Sequence, residues 1–203
     1  TFLFLGVICL QAFLARAHAN WAAPAYVGGS ILLGLASQRS GLWRGLVVLA
    51  VVLNCALGLA INHYHGIAKV VGVELSCKTD PHCRIAGSHA LGEALVPVLQ
   101  QNPDAGLLMN NRMYMALVLY YTREEPRVYR RWKPTEYVPD HYAMMQPFVT
   151  DEGRSWLYIS SKNDVTVPAH FDTSKLIAEI EVPIYSDKSR RAFVYKVSGF
   201  KGY

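Results

Sequence analysis

Gly45-Leu-Val-Val-Leu-Ala-Val-Val-Leu-Asn-Cys-Ala-Leu-Gly-Leu-Ala-Ile61 holds no charge and one side-chain amide, Asn54. A helix crosses the hydrocarbon core of a bilayer with about 20 predominantly apolar residues, so this run with its flanks reads as a membrane span. Two further apolar runs precede it, Thr1 to Ala15, broken by Gln11, and Trp21 to Ser37. The first is short for a crossing and is expected to be the end of a longer span. A signal peptide is the rival, with small residues around Arg16. No basic stretch precedes the run and further spans follow it, which argues against cleavage there.

Charge divides the chain in the same place. All 15 acidic residues lie at or after Glu74, and only Arg16, Arg39, Arg44 and Lys69 carry charge before it. At 52% hydrophobic and 17% charged over 203 residues, the composition excludes a disordered chain, a collagen and a coiled coil. The expected organisation is transmembrane helices over residues 1–63 and a water-compatible domain over residues 64–203. The link Gln38-Arg-Ser-Gly-Leu-Trp-Arg44 has two arginines and no acid, which marks a cytoplasmic loop. Trp21, Trp43 and Tyr64 suit the interfaces. On that topology Arg16 to Asn20 and everything after Tyr64 face away from the cytoplasm.

Beyond the third span, Cys77 and Cys83 flank a Pro-containing turn and are placed to close a small disulfide ring in an oxidising compartment. Cys9 and Cys55 read as packing residues. His63, His65, His82, Cys77 and Cys83 match no zinc spacing, so no metal is expected. The tail then alternates element types. A helix capped by Ser88 carries Leu91, Leu95, Val98 and Leu99 at helical spacing. Gly106–Met109 is a strand, Asn110-Asn111 opens a helix through Tyr120, and Arg127–Trp132 and Trp156–Ile159 are strands. Glu181–Tyr185 and Ala192–Val197 form a hairpin about Ser186–Ser189. Strand, helix, strand in sequence predicts a small α/β domain with a mixed sheet.

Four groups of residues carry candidate chemistry. Arg16, His18 and Asn20 cluster where one span ends and the next begins, a place where an Arg fork could grip a lipid phosphate or simply snorkel to the head groups. Asn110-Asn111-Arg112 lies at a strand-to-helix junction, where α/β sheets present ligands, although Asn capping is the simpler role. Asp140 beside His141 pairs an acid with an imidazole, but adjacent side chains usually diverge. Arg127-Val-Tyr-Arg-Arg-Trp-Lys133 interleaves charge with aromatics. Nucleic acid is not expected outside the cytoplasm, and an anionic head group, a polysaccharide or plain solvent is the better partner for that strand face.

Arg16-Ala-His-Ala-Asn-Trp-Ala-Ala-Pro-Ala-Tyr26 resembles the late transmembrane region of bacterial family 39 glycosyltransferases. These are relatives of the dolichyl-phosphate-mannose protein mannosyltransferases and of the lipid A aminoarabinose transferase. Met109-Asn-Asn-Arg112, Leu119-Tyr-Tyr121, Trp132-Lys-Pro134, Asp140-His-Tyr142 and the ending Tyr195-Lys-Val-Ser-Gly-Phe-Lys-Gly202 follow in the order of the soluble C-terminal region of that group.

The resemblance implies the C-terminal portion of a multi-pass GT-C enzyme of the bacterial inner membrane, with its last domain in the periplasm. Such an enzyme moves a sugar from a polyprenyl-phosphate carrier to lipid A, lipopolysaccharide core or protein hydroxyls, using the lipid-linked sugar as donor and no separate cofactor. The acceptor hydroxyl needs a carboxylate base and the departing phosphate needs cations. Because residues 1–73 contain no Asp or Glu, the catalytic carboxylate is expected upstream, leaving Arg16, His18 and Asn20 to hold the lipid phosphate or acceptor. The competing expectation is a membrane-anchored periplasmic binding or assembly module without catalysis. A transporter fragment ranks lower, since Gly28-Gly29 is the one hint of a broken helix.

Overall fold

The apolar run at residues 45–61 folds as a helix from Leu42 to Asn62 (α3). Its 21 residues span about 32 Å at 1.5 Å per residue, close to the roughly 30 Å of a hydrocarbon core. No residue of α3 is buried, and Leu46, Leu49, Val52, Leu53 and Leu57 are all about half exposed. A helix apolar on every side, with none of its residues buried, is suited to lipid as its solvent.

The structure is a computed structural model that describes residues 2–14, 23–38, 41–150 and 153–203. Among the described residues α3 alone is long and apolar enough to cross a membrane. The two earlier runs form α1 (Phe2–Leu14) and α2 (Ala23–Ser37), of 13 and 15 residues. Over their described residues they measure about 20 and 22 Å, so among the described residues one helix of crossing length stands where several spans were expected. After His63 the chain continues as α4 (Tyr64–Val71), which stops at Gly72 in the left-handed conformation, the usual device for ending a helix. The chain divides there into Thr1–Gly72 and Val73–Tyr203, later than the expected boundary at residue 63 because α4 remains with the helical unit.

The second unit is built on a five-stranded mixed sheet. Its elements in order are α5 (Ser88–Gln100), β1 (Gly106–Met109), α6 (Arg112–Tyr121), β2 (Tyr129–Arg131), α7 (His141–Met145), β3 (Trp156–Ser160), β4 (Phe171–Tyr185) and β5 (Lys188–Phe200). The spatial order is β2-β1-β3-β5-β4. β1 runs parallel to both β2 and β3, while β5 is antiparallel to β3 and β4. The strands β1 and β3 are buried throughout, as parallel strands covered on both faces must be.

Alternation along the strands sorts two cores. Leu107 and Met109, Leu157 and Ile159, and Ala192 and Val194 face the helices, where they meet Leu91, Leu95, Leu99, Met115 and Val118. Leu108, Trp156, Tyr158, Phe193, Tyr195 and Val197 face the other way and join Trp132, Phe148 and Phe171 in an aromatic layer. Each fully buried Leu contributes about 1.5–3 kcal/mol. Close approach of α5 to α6 needs Gly92, since a Cβ there would overlap Tyr121 Cβ.

Three local expectations change. Ser88 is the first residue of α5 and is buried, while Gly87 at φ 71° stands in the capping position. A Cβ on Gly87 would come within 2.9 Å of Ile184 Cγ1, so glycine is required there twice over. Strand β4 begins at Phe171, ten residues before the expected Glu181. Its outer edge is unpaired, so polar residues serve it as well as apolar ones, and Pro183 loses no ladder bond. The short helix α7 was not expected at all.

Candidate functional site

Three parallel strands end on one side of the sheet, and the chain leaves β1 toward β2 and β3 toward β4 in opposite directions. Crevices at such switch points are where open α/β sheets bind ligands. At the end of β1, Asn111 adopts an extended backbone and its Oδ1 accepts from Met113 N at 3.0 Å and Tyr114 N at 3.2 Å. Asn110 Nδ2 donates to Asp164 Oδ2 at 3.4 Å, and the Tyr158 hydroxyl donates to the same oxygen at 3.4 Å. Thr166 donates to Asp164 Oδ1 through its hydroxyl at 2.6 Å and its N–H at 2.9 Å. Those Thr166 bonds outweigh burial and hold the Asp164 carboxyl below the usual range. Burial pushes the Tyr158 phenol well up.

Antiparallel pairing places the start of β5 at this same end. The last β3–β5 pair is Ser160 with Phe193, and β5 begins at Lys188. The hairpin therefore overhangs β3 by five residues, or roughly 17 Å at 3.4 Å per residue. Its overhang walls a cleft of 620 Å³ whose lining includes Arg84, Asn111, Ser161, Lys188, Arg190 and Arg191. Arg190 ties the wall to the loop before α5, donating from Nε to Ala86 O and from a terminal nitrogen to Arg84 O, each at 2.9 Å. Arg191 pairs with Glu181 at 2.9 Å across the hairpin, with both side chains about half exposed. The buried Tyr114 hydroxyl donates to Arg191 O. Burial pushes that phenol up to about 12, with Arg190 opposing.

The loop that closes the cleft is the expected cysteine ring. Cys77 and Cys83 are joined, with their Cα atoms 5.1 Å apart. Inside the ring Asp80 is buried and accepts from His82 N at 2.9 Å and from the Tyr185 hydroxyl. The ring is thereby anchored to the end of β4. Burial, followed by the bond to Asp80, pushes the Tyr185 phenol up to about 12. Cys9 and Cys55 are free.

Arg16, His18 and Asn20 lie outside the described residues. Asn111 has the capping role, and it also reaches the cleft. Asp140 makes no hydrogen bond or ion pair with His141 among the described residues. It caps α7, accepting from Ala143 N at 2.9 Å, and pairs with Arg131 Nε at 3.2 Å in a site where the two side chains are 3% and 9% exposed. Both carboxylate oxygens are thus engaged, one by the helix cap and one by Arg131.

The basic run is also committed internally. Arg127 donates to Leu99 O at 2.6 Å and Pro103 O at 3.0 Å, closing the end of α5. Arg130 donates to Gln146 Oε1 at 2.6 Å. An anionic partner for that strand face, expected less than plain solvent, would find Arg127 and Arg130 already engaged.

The cations that do line a cavity were not singled out by sequence. Arg84 stands alone in a loop, and Lys188, Arg190 and Arg191 flank a turn that reads as solvated. Their only sequence signal is the spacing of a basic turn from the strand it follows.

No family model, no curated protein and no solved structure matches the chain.

Proposed function

We propose that this chain is the C-terminal portion of a multi-pass glycosyltransferase of the bacterial inner membrane, of the GT-C, family 39 kind. It moves a sugar from a polyprenyl-phosphate carrier to an envelope acceptor such as lipid A or lipopolysaccharide core. The observation that carries this reading is α3, whose 21 residues expose apolar side chains throughout, followed by an α/β unit that holds all 15 of the chain's acids. A lipid-soluble segment leading directly into a water-soluble, disulfide-bearing unit fits an enzyme working on lipid-linked sugars at the outer surface of that membrane. In this proposal Arg16, His18 and Asn20 hold the lipid phosphate, and the base that deprotonates the acceptor comes from outside residues 1–73, which have no carboxylate side chain.

The cleft supports a second reading, a membrane-anchored periplasmic module that binds an envelope anion without chemistry. Four cations and one acid line it, a composition suited to holding charge rather than to general acid and base work. A transfer assay separates the two. The full-length protein in membranes is given radiolabelled polyprenyl-phosphate sugar and total envelope lipid. Label moving to lipid A or core supports the enzyme, and no transfer to any acceptor leaves the binding module.

A further inference from the structure

The overhang cleft carries an inference that stands apart from sugar transfer. Arg84, Lys188, Arg190 and Arg191 line it against a single acid, Asp187, an excess of three positive charges (4 − 1). These cations are not equally committed. Arg190 is used on the carbonyls of Ala86 and Arg84. Among the described residues the Lys188 ammonium has no hydrogen bond or ion pair, and the Arg84 guanidinium meets only the Met113 sulfur at 3.5 Å, a weak acceptor. Arg191 shares an exposed pair with Glu181, of the kind that contributes little and exchanges readily. The neutral lining includes the Ser161 hydroxyl and the Asn111 amide. Asn111 Oδ1 is fixed by Met113 N and Tyr114 N, which leaves its Nδ2 as a donor.

We propose that this cleft binds a phosphate monoester borne on a sugar. A monoester carries about −1.5 to −2 charges and three acceptor oxygens, enough to engage Arg84, Lys188 and Arg191 together, whereas one carboxylate would leave cations unmatched. Arg forks suit phosphate oxygens in particular. At 620 Å³ the cleft lies in the range of small-molecule sites, about 300–1,000 Å³, and is larger than a bare phosphate needs. Asp187 on the rim supplies an acceptor for sugar hydroxyls. Two sources share this chemistry, a free sugar phosphate and the phosphorylated head group of a membrane glycolipid.

The test uses the full chain in phosphatidylcholine nanodiscs, titrated by calorimetry with glucose 1-phosphate, inorganic phosphate and glucose. Glucose 1-phosphate should bind, inorganic phosphate should bind more weakly and glucose should not bind. Lys188→Gln and Arg84→Gln should each weaken glucose 1-phosphate about tenfold, the loss of one charge-assisted contact. Lys188→Arg should retain binding, and Lys133→Gln, outside the cleft, should change nothing. Unfolding midpoints identical to wild type confirm that the variants fold. Adding diphosphoryl lipid A to the nanodiscs assigns the source: abolished glucose 1-phosphate heat means a head group occupies the cleft, and unchanged heat means a soluble ligand. Equal affinity for inorganic phosphate and glucose 1-phosphate overturns the sugar. No heat with any phosphate, or binding that survives both Gln substitutions, overturns the site.

Discussion

Replacing Asp140 by Ala tests the structural account of a buried ion pair in the α/β unit. The carboxylate is 3% exposed and its partner Arg131 is 9% exposed, with Nε and Oδ2 3.2 Å apart. Arg131 also donates to Met109 O at 3.3 Å and Trp132 O at 3.2 Å, so the guanidinium cannot swing out without breaking backbone contacts at the end of β1. Truncation leaves a buried guanidinium without its counter-charge, which costs about 3–5 kcal/mol. It also removes the α7 cap, worth about 1 kcal/mol. The two losses share one side chain and do not add, so about 3 kcal/mol is expected, or roughly 10 °C in the unfolding midpoint of a unit this size. Urea unfolding with the helical unit held in micelles measures it.

The pH dependence of that loss has a definite sign. Burial pushes the Asp140 carboxyl up, but Ala143 N–H and then Arg131 pull it further down, so the folded value lies below the ordinary one. A depressed carboxylate stabilises the fold above its unfolded value of about 3.9 and loses that contribution as pH falls through the folded value. The gap between wild type and Asp140→Ala should therefore be full at pH 7 and shrink below about pH 4. Arg131→Met with Asp140→Ala should recover part of the loss, because no charge is then left buried. A single variant within about 0.5 kcal/mol of wild type would refute the reasoning, and so would a double variant no better than Asp140→Ala alone.

Gly92→Ala sets about 1 kcal/mol of helix propensity against overpacking of about 1–3 kcal/mol. The added Cβ meets the Cβ of Tyr121 rather than a flexible side-chain end, so a net loss of about 1–2 kcal/mol is expected by thermal unfolding. Reducing Cys77–Cys83, which encloses a sequence separation of 6, should cost about 2 kcal/mol on a loop-entropy basis. Unfolding with and without reductant reads this, and a Cys77→Ser, Cys83→Ser variant should be insensitive to reductant. Val52→Lys, at the middle of α3, should impair membrane insertion by about 3 kcal/mol. Extraction of the variant from membranes by carbonate checks it, and unchanged integration would argue that α3 is not a span.

The apolar run of α3, the helix carrying Leu91, Leu95 and Leu99, and the strands at Gly106–Met109 and Trp156–Ile159 are legible in the sequence because their burial pattern is local. Period and length settle them without knowing what they pack against. Strand β4 is not legible before Glu181, because residues 172–176 are exposed on both faces and so carry no alternation. The capping place falls to Gly87 rather than Ser88 because the turn is left-handed there and Ile184, nearly a hundred residues away, leaves no room for a side chain. Adjacent charge in the sequence misleads for a related reason. Asp140 sits next to His141, but as a capping residue it spends one carboxylate oxygen on Ala143 N and the other on Arg131.

The same logic explains where the cations go. Arg127, Arg130 and Arg131 are close in sequence, and each uses its donors on carbonyl or side-chain oxygens of the unit itself. Arg is suited to this, being planar, weakly hydrated and rich in donors, and the end of α5 supplies carbonyls that need partners. Arg84 and Lys188 have weaker internal claims and are more than a hundred residues apart. What brings them to one cleft is the pairing of β5 with β3, which fixes how far the hairpin overhangs the strand ends. That pairing also sends Val194 to the helices and Phe193 and Tyr195 to the aromatic layer. A slip of one residue would exchange the two faces along the whole of β5. The charge of the cleft is therefore held in place by the hydrophobic cores, and it cannot shift by a residue unless both cores are lost with it.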